Sequence, residues 1–227
     1  MIRLAEKIID EKDISSLVGW LQQSDRFTKG EQTLMFESEW SKWLGSKYSI
    51  FVNSGSSANL LITMALLYSG RLRNRKIIVP SISWVTTVSP AIQLGMTPIL
   101  CDADPDDLGL DVDHFAKLCE EHRPSVVFLV HVLGHANKMK KIIEVCKKYD
   151  VLLVEDTCEA YGSEHQNQKL GTFGIASTHS FFYGHAMSTI EGGMVSTDDH
   201  DMFNLMLSLR SHGWLRDNDA SFKKKIF

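Results

Sequence analysis

A histidine at position 185 stands in a segment whose residue types are typical of a phosphate-anchored site. The segment reads SFFYGHAMSTIEGGMVST, with Ser180 five residues before His185 and a Glu-Gly-Gly sequence entering a strand after it. A lysine in that setting forms a Schiff base with an aldehyde, which an imidazole cannot do. Histidine can move protons near neutral pH, because its unperturbed pKa is about 6.5. The segment therefore predicts proton transfer at His185 without a covalent link to a cofactor.

A second segment, NSGSSANLL, has the residue types of a phosphate-binding turn. Gly55 permits a tight turn after a predicted strand, and the backbone N–H groups of Ser56 and Ser57 are expected to open a helix. Free N–H groups at a helix N-terminus favour a phosphate. An ordinary serine N-cap has the same pattern, so the segment leaves both interpretations open.

An aromatic residue and two acids follow other predicted strands. Trp84 lies four residues past Pro80 and could stack on a flat heterocycle or pack in the core. Asp156 and Glu159 lie in EDTCEAYG, where surface-loop acids are the alternative. Phosphate donors, an aromatic plate, an acid at a strand end and Ser180 are together the parts of a pyridoxal phosphate (PLP) site. The acid in such a site keeps the pyridine nitrogen protonated, so that the ring accepts electrons.

Alternating strands and helices must position these groups. Short β-branched runs predict strands at 48–53, 76–80, 98–101, 125–130 and 151–154. Helical patterns fall at 13–21, 31–44, 57–68, 86–94, 111–119, 138–149 and 200–210, with Asp13 as the cap of the first. Such a chain forms a mostly parallel sheet covered on both faces, and ligands collect at the C-terminal ends of its strands.

Composition excludes several classes of function. The 227 residues are 44% hydrophobic and carry a net charge of −4 with dispersed basic residues, which argues against nucleic acid as a partner. The lysine run at 223–225 is interpreted as a solvated surface. No apolar run is long enough for a transmembrane helix, and residues 1–13 lack the apolar stretch of a signal peptide. The four cysteines show no metal-ligand spacing, so reduced thiols and a cytoplasmic location are expected.

The chain resembles the DegT/DnrJ/EryC1/StrS family of sugar aminotransferases. The resemblance lies in NSGSSANLL, PSISWVTT, LGMTPILCDAD, VEDTCEAYG, SFFYGHAMSTIEGGMVST and LRSHGWLRD, which occur in order from about residue 28 to residue 216. It implies an α/β fold, the large domain of a fold-type I PLP-dependent transferase, with a mostly parallel seven-stranded sheet covered by helices. Residues 1–30 are then an N-terminal segment and residues 31–227 a PLP-binding large domain without the family's C-terminal small domain. The resemblance also implies a homodimer with the site at its interface.

The same resemblance assigns roles to individual residues. The positions that match cofactor-binding residues are Gly55, Ser56, Ser57, Trp84, Asp156, Glu159 and Ser180. The serines and the glycine match the phosphate site, the tryptophan stacks on the ring, and the aspartate pairs with the ring nitrogen. Glu159 falls where most members have a glutamine that contacts the ring 3-hydroxyl. His185 falls on the Schiff-base lysine, and no lysine occurs between Lys169 and Lys223 to replace it.

Within the family, histidine at this position is the mark of the nucleotide-sugar 3-dehydratases. The cofactor would rest noncovalently as pyridoxamine phosphate, with glutamate as the amino donor, and loss of a C4′ proton would let the sugar expel its 3-hydroxyl. The iron–sulfur enzymes that act on CDP sugars have cysteines after the Gly-Trp segment, and SHGWLRDNDASFKKKIF has none. GDP-4-keto-6-deoxymannose is therefore the favoured substrate, in dideoxysugar and O-antigen biosynthesis.

Two alternatives to the dehydratase remain at this point. One is a nucleotide-sugar aminotransferase that still exchanges an amine, and the other is an inactive cofactor-binding relative. The eight other histidines are expected to be structural, although His131, His135 and His212 could approach a sugar.

Overall fold

The computed structural model describes residues 8–226, and the strands alternate with helices along the chain. The strands are β1 Tyr48–Val52, β2 Lys76–Pro80, β3 Thr97–Cys101, β4 Val126–Val130, β5 Leu152–Asp156, β6 Glu164–His165, β7 Gln168–Lys169, β8 Ala176–Ser180 and β9 Gly193–Thr197. Seven of them form one sheet in the order β1-β9-β8-β5-β4-β2-β3, and β6 pairs with β7 in a separate hairpin. Within the large sheet β9 is antiparallel to both neighbours, while the other six strands run in one direction. The predicted mostly parallel seven-stranded sheet is confirmed.

The helices lie close to their predicted positions. They are α1 Glu11–Gln23, α2 Glu31–Leu44, α3 Gly55–Tyr68, α4 Val85–Gln93, α5 Val112–His122, α6 Met139–Tyr149, α7 His200–Arg210 and α8 Ala220–Ile226, with a 3-10 turn at Val132–Gly134. The predicted cap of α1 was wrong: Asp10 is the N-cap, and its carboxylate accepts from the N–H groups of Lys12 and Asp13. The Asp13 carboxylate accepts from the Asp10 N–H in return, which makes a capping box with Asp13 as its third helical residue.

Two apolar layers cover the sheet, one on each face. Ile62 and Leu66 of α3 pack with Phe128 in the layer that also includes side chains of α4 and α7. Phe115 of α5 and Ile142 of α6 pack in the opposite layer. Every residue of β4 is buried, as expected of a central strand that is covered on both faces.

A buried ion pair fixes α2 and α7 to the edge strand β1. The Glu37 carboxylate accepts from Arg210 Nη1 at 2.6 Å and from the Phe51 N–H at 2.9 Å, and Arg210 also donates to the Phe51 carbonyl at 3.0 Å. Further along α2, the Ser41 hydroxyl bonds to that of Ser49 at 2.8 Å. Because α2 runs antiparallel to β1, its N-terminal turn lies beyond the C-terminal end of β1.

Among residues 8–226 no helix is long and apolar enough to cross a bilayer. Residues 1–7, on which the expected lack of a signal peptide partly rests, lie outside the described part of the chain, as does the side chain of Lys225.

Candidate functional site

The predicted site residues meet at one edge of the sheet. Gly55 follows β1, Trp84 follows β2, Asp156 ends β5 and Ser180 ends β8. Since these strands are parallel, their C-terminal ends share an edge, and β9 begins there because it runs the other way. His185 lies in the loop that connects β8 to β9.

The turn after β1 caps α3 and leaves two donors open. The Ser54 hydroxyl accepts from the Ser57 N–H at 3.0 Å and bonds to the Ser57 hydroxyl at 3.1 Å. Ser54 is therefore an ordinary serine N-cap of α3, and the Ser57 N–H that was expected to be open is used by this cap. In the described part of the chain the N–H groups of Gly55 and Ser56 have no acceptor, as is usual in the first turn of a helix. These two N–H groups are placed to bind an anion.

Position 55 needs a glycine because a side chain would not fit beside Ser180, and not because a tight turn requires one. A Cβ at this position would lie 2.6 Å from the Ser180 Cβ, 3.1 Å from its hydroxyl oxygen and 3.0 Å from the Cys158 sulfur. The Ser180 hydroxyl consequently lies directly beside the open N–H groups at the start of α3. A phosphate bound there would meet donors from β8 and α3 together.

Asp156 is a buried carboxylate that is 5% exposed, so the surface-loop interpretation was wrong for this residue. Its Oδ2 accepts from Asn59 Nδ2 at 3.0 Å and from the Thr87 hydroxyl at 3.1 Å, and its Oδ1 accepts from the Cys158 N–H at 3.1 Å. No cation pairs with it among residues 8–226. A buried charge without a counter-charge is costly, so this carboxylate is suited to a positively charged ligand atom.

One polar atom beside Asp156, the Asn59 Oδ1, also lacks a hydrogen-bond partner within the described residues. The hydroxyl of Thr178, opposite Asp156 in the β5–β8 register, lies beside the Cys158 thiol. The site therefore has room for further hydrogen bonds to a bound group.

Trp84 is the N-cap residue of α4 and is 70% exposed, so the core-packing interpretation was wrong. Its carbonyl accepts from the Thr87 N–H at 3.0 Å, and Thr87 is one of the donors to Asp156. The backbone of Trp84 is therefore connected through Thr87 to the buried carboxylate. An exposed indole at this strand end is available to stack on a flat ring.

Glu159 supplies a carboxylate that accepts hydrogen bonds, and His185 supplies an imidazole. The Glu159 Oε2 accepts from the Leu133 N–H at 2.7 Å, and the residue is otherwise exposed. His185 is half-buried, and its backbone N–H donates to the Phe182 carbonyl at 3.0 Å. Burial lowers the pKa of His185, while the carboxylates of Glu159 and Asp156 oppose that shift. The imidazole is therefore neutral near pH 7 and can accept a proton.

The remaining histidines are separate from this group. His131 is fully buried and faces the Glu155 carboxylate at 3.2 Å, so it is a structural histidine as expected, and the alternative of a sugar contact is wrong. His135 and His212 are exposed in loops.

Sequence reasoning missed Asn59 and Thr87, the side-chain donors to Asp156. The available signal for Asn59 was a single amide within the otherwise apolar helix α3.

A groove of about 460 Å³, lined by three cations and two acids, lies at the N-terminal turn of α2. Arg26, Lys29, Glu31, Arg216 and Asp217 line it. The Asp217 carboxylate pairs with Lys29 at 2.6 Å and with Arg216 at 3.3 Å, so one acid joins segments from the two ends of the chain. Helix α2 has no side-chain cap at Gly30, and its open N–H groups add to the positive potential. Because this turn lies beyond the end of β1, the groove is on the same edge as the site.

Comparisons with known proteins found similar sequences along almost the whole chain. The model of the DegT/DnrJ/EryC1/StrS aminotransferase family matches residues 8–227. Over 217 residues the chain is 35% identical to a GDP-4-keto-6-deoxy-D-mannose 3-dehydratase of Yersinia pseudotuberculosis. The matched region covers 94% of this chain and 55% of that protein. The chain therefore spans about half the length of the curated relatives it matches.

Solved structures show the same fold. A GDP-4-keto-6-deoxymannose-3-dehydratase with a trapped PLP-glutamate geminal diamine superposes with a TM-score of 0.88 at 34% identity, covering 96% of this chain and 57% of that one. A histidine-to-asparagine mutant of the same enzyme with bound GDP-perosamine gives a TM-score of 0.87 at 33% identity, with coverage of 96% and 57%. The predicted fold-type I architecture is confirmed.

Proposed function

Because the chain belongs to the DegT/DnrJ/EryC1/StrS aminotransferase family, we propose that it is a pyridoxamine phosphate-dependent 3-dehydratase of a nucleotide-linked 4-keto-6-deoxy sugar. The observation that carries the proposal is a buried, unpaired Asp156 carboxylate on the same site as a half-buried imidazole, His185. The segment around His185 holds no lysine that could bind an aldehyde covalently. Proton transfer without covalent anchoring is the chemistry that these groups support.

The residues present fit a pyridoxal or pyridoxamine phosphate. The open N–H groups of Gly55 and Ser56, with Ser57 beside them and the Ser180 hydroxyl opposite, would hold the phosphate. Asp156 would keep the ring nitrogen protonated, since no cation pairs with this carboxylate in the described chain and only neutral groups donate to it. When bound, the cofactor supplies an amine for the keto group and a ring that accepts electrons.

Other residues would orient the ring and move the proton. Trp84 would stack on the ring face, and Glu159 would accept a hydrogen bond from its 3-hydroxyl with the oxygen that Leu133 leaves free. His185 would take the proton at C4′, because its lowered pKa keeps it neutral at physiological pH. The proton held by His185 and the 3-hydroxyl, on the carbon next to the keto carbon, would together leave as water.

The substrate we propose is GDP-4-keto-6-deoxymannose, with glutamate as the amino donor. A solved relative binds GDP-perosamine. In the groove at the same edge of the sheet, Arg26 would bind a diphosphate, and Lys29 and Arg216 would share their charge between it and Asp217. We further propose that residues 31–227 act as the PLP-binding large domain after an N-terminal segment of residues 1–30. A homodimer completes the site in this proposal. The four free cysteines agree with a cytoplasmic location, where thiols stay reduced.

The experiment that tests this function mixes the purified protein with GDP-4-keto-6-deoxymannose, pyridoxal phosphate and glutamate. Mass spectrometry then identifies the sugar product. A 3-deoxygenated sugar is expected. An aminated sugar would favour the aminotransferase, which the family membership also permits, and an unchanged sugar would contradict both.

A further inference from the structure

A fully buried carboxylate lies beside the candidate site, on the strand that ends in Asp156. The Glu155 Oε1 accepts from the N–H groups of Phe173 at 2.7 Å and Gly174 at 2.8 Å. Its Oε2 accepts from the Gly171 N–H at 2.8 Å and faces His131 Nε2 at 3.2 Å. A carboxylate offers about four acceptor positions. All four are therefore used, provided that the proton of His131 is on Nε2.

The neighbouring amide fixes that proton. Asn137 Oδ1 accepts from the Leu110 N–H at 2.7 Å, and its Nδ2 donates to the Val130 carbonyl at 2.7 Å, so the orientation of the amide is determined. Nδ2 then lies 3.1 Å from His131 Nδ1 as a donor. Nδ1 must accept, which leaves the ring proton on Nε2, pointing to Glu155. We call Glu155, His131 and Asn137 the buried network.

The buried network holds the loop of residues 131–137. The loop begins at His131 and ends at Asn137, and within it the Gly134 N–H bonds to the His131 carbonyl at 3.2 Å. Leu133 has a left-handed backbone with φ 51°, which is unusual for a leucine. In this conformation the Leu133 N–H points to the Glu159 Oε2 at 2.7 Å.

We propose that the buried network is a positioning device for the site: it holds the 131–137 loop so that the Leu133 N–H fixes one oxygen of Glu159 and leaves the other for a ligand. The importance of the buried network for catalysis rests on the proposed function. The hydrogen bonds that link the network to Glu159 do not depend on that function. The network's residues touch no proposed ligand position. They act through the loop on Glu159, which is the residue that would contact the cofactor.

The first test changes Glu155→Gln, which keeps the size but places an amide donor among N–H donors. In the cofactor-free wild type, the NMR shift of the Leu133 amide proton should follow the titration of the Glu159 carboxyl group. In the variant this dependence should be lost. Glu144→Gln, an exposed change on α6, is the matched control and should leave it unchanged.

A second readout is the pKa of His185, measured by NMR on the same samples. The charged groups that act on it are Glu159 and Asp156, and both raise it against the effect of burial. Glu159→Gln should therefore lower the pKa of His185. Glu155→Gln should also lower the pKa of His185, because the Glu159 carboxylate would lose its bond to the Leu133 N–H and move away from the imidazole. The double variant should show no further decrease, since both changes act through one group.

His131 supplies a variant that tests the same device with Glu155 intact. His131→Leu removes both ring nitrogens and should abolish the Leu133 response, whereas His131→Gln can donate to Glu155 and accept from Asn137 and should retain it. In active enzyme, Glu155→Gln should lower kcat on the order of 10²-fold, as expected for a displaced catalytic group.

The proposal is overturned if folded Glu155→Gln and His131→Leu keep both the Leu133 response and the wild-type pKa of His185. NMR changes without any dehydratase activity in the wild type would instead refute the proposed function and leave the buried network standing.

Discussion

Replacing Gly55 by alanine should damage cofactor binding and stability together. The new Cβ would lie 2.6 Å from the Ser180 Cβ, and an ordinary contact begins at 3.4 Å, so either α3 or β8 must move by about 0.8 Å. Overpacking of this kind costs about 1–3 kcal/mol of folding free energy. The displaced groups are the N–H donors and the hydroxyl that are proposed to hold the phosphate. Losing one charge-assisted hydrogen bond, about 1.5–3 kcal/mol, weakens binding roughly 10- to 10²-fold.

The assay is a fluorescence titration with pyridoxal phosphate at a temperature where circular dichroism shows the variant to be folded. Thermal unfolding without cofactor measures the stability change separately. Gly19→Ala is the matched control, because a Cβ there has no atom within 4 Å and lies inside α1. It should leave binding unchanged and stabilise the protein by about 0.5–1 kcal/mol.

A second substitution separates the steric effect of the new Cβ from the loss of phosphate-binding groups. Gly55→Ala combined with Ser180→Gly removes two of the three close contacts and should recover much of the lost stability. Cofactor affinity should stay low, since the Ser180 hydroxyl is gone. Wild-type affinity and wild-type stability in Gly55→Ala alone would refute the steric reasoning and the placement of the phosphate.

Four further outcomes are expected. Borohydride should not trap pyridoxal phosphate on the wild type, whereas His185→Lys should be labelled in the 180–197 peptide; a labelled wild type would contradict the role of His185. The activity of the wild type should rise with pH in a range below about 6.5, because burial lowers the pKa of the His185 base. The same rise in His185→Asn would show that another group is the base. Asp156→Asn should reduce turnover by several orders of magnitude with the fold intact, and near-normal turnover would move the cofactor elsewhere. Glu37→Ala should lower the free energy of unfolding in urea by about 3 kcal/mol, because it leaves the Arg210 guanidinium, which is only 13% exposed, without a counter-charge. The exposed control Glu39→Ala should cost less than about 1 kcal/mol, and equal losses in both would contradict the importance of burial.

Strands and helices with strong apolar patterns were predictable from the sequence. β2 and α7 occupy the predicted residues, because their patterns are bounded by clear polar or turn residues. β8 was not predicted, since ASTHS has no apolar run and is buried through hydrogen bonds: the Thr157 hydroxyl bonds to the Thr178 carbonyl at 2.8 Å and to His179 Nδ1 at 2.7 Å. Burial lowers the pKa of His179 to about 3, so it is neutral within the sheet.

The candidate site was predictable where side chains follow parallel strands. Asp156 and Ser180 end neighbouring strands, so their proximity follows from the topology. The Leu133 N–H could not be predicted, because a backbone donor has no residue signature and its direction depends on a left-handed conformation. The partners of His131 were equally hidden, since Glu155 lies on another strand, 24 residues along the chain.

The position of β9 between β1 and β8 has a consequence for synthesis on the ribosome. The hydroxyl contact between Ser49 and Ser196 joins residues that are 147 positions apart. At a translation rate of about 5–20 residues per second, β1 waits roughly 7–30 s for its only strand partner in the described sheet. During that time Gly55 has neither Ser180 nor Gly193 beside it. A nascent chain that ends before β9 should therefore be a substrate for chaperones and should not yet bind the cofactor phosphate.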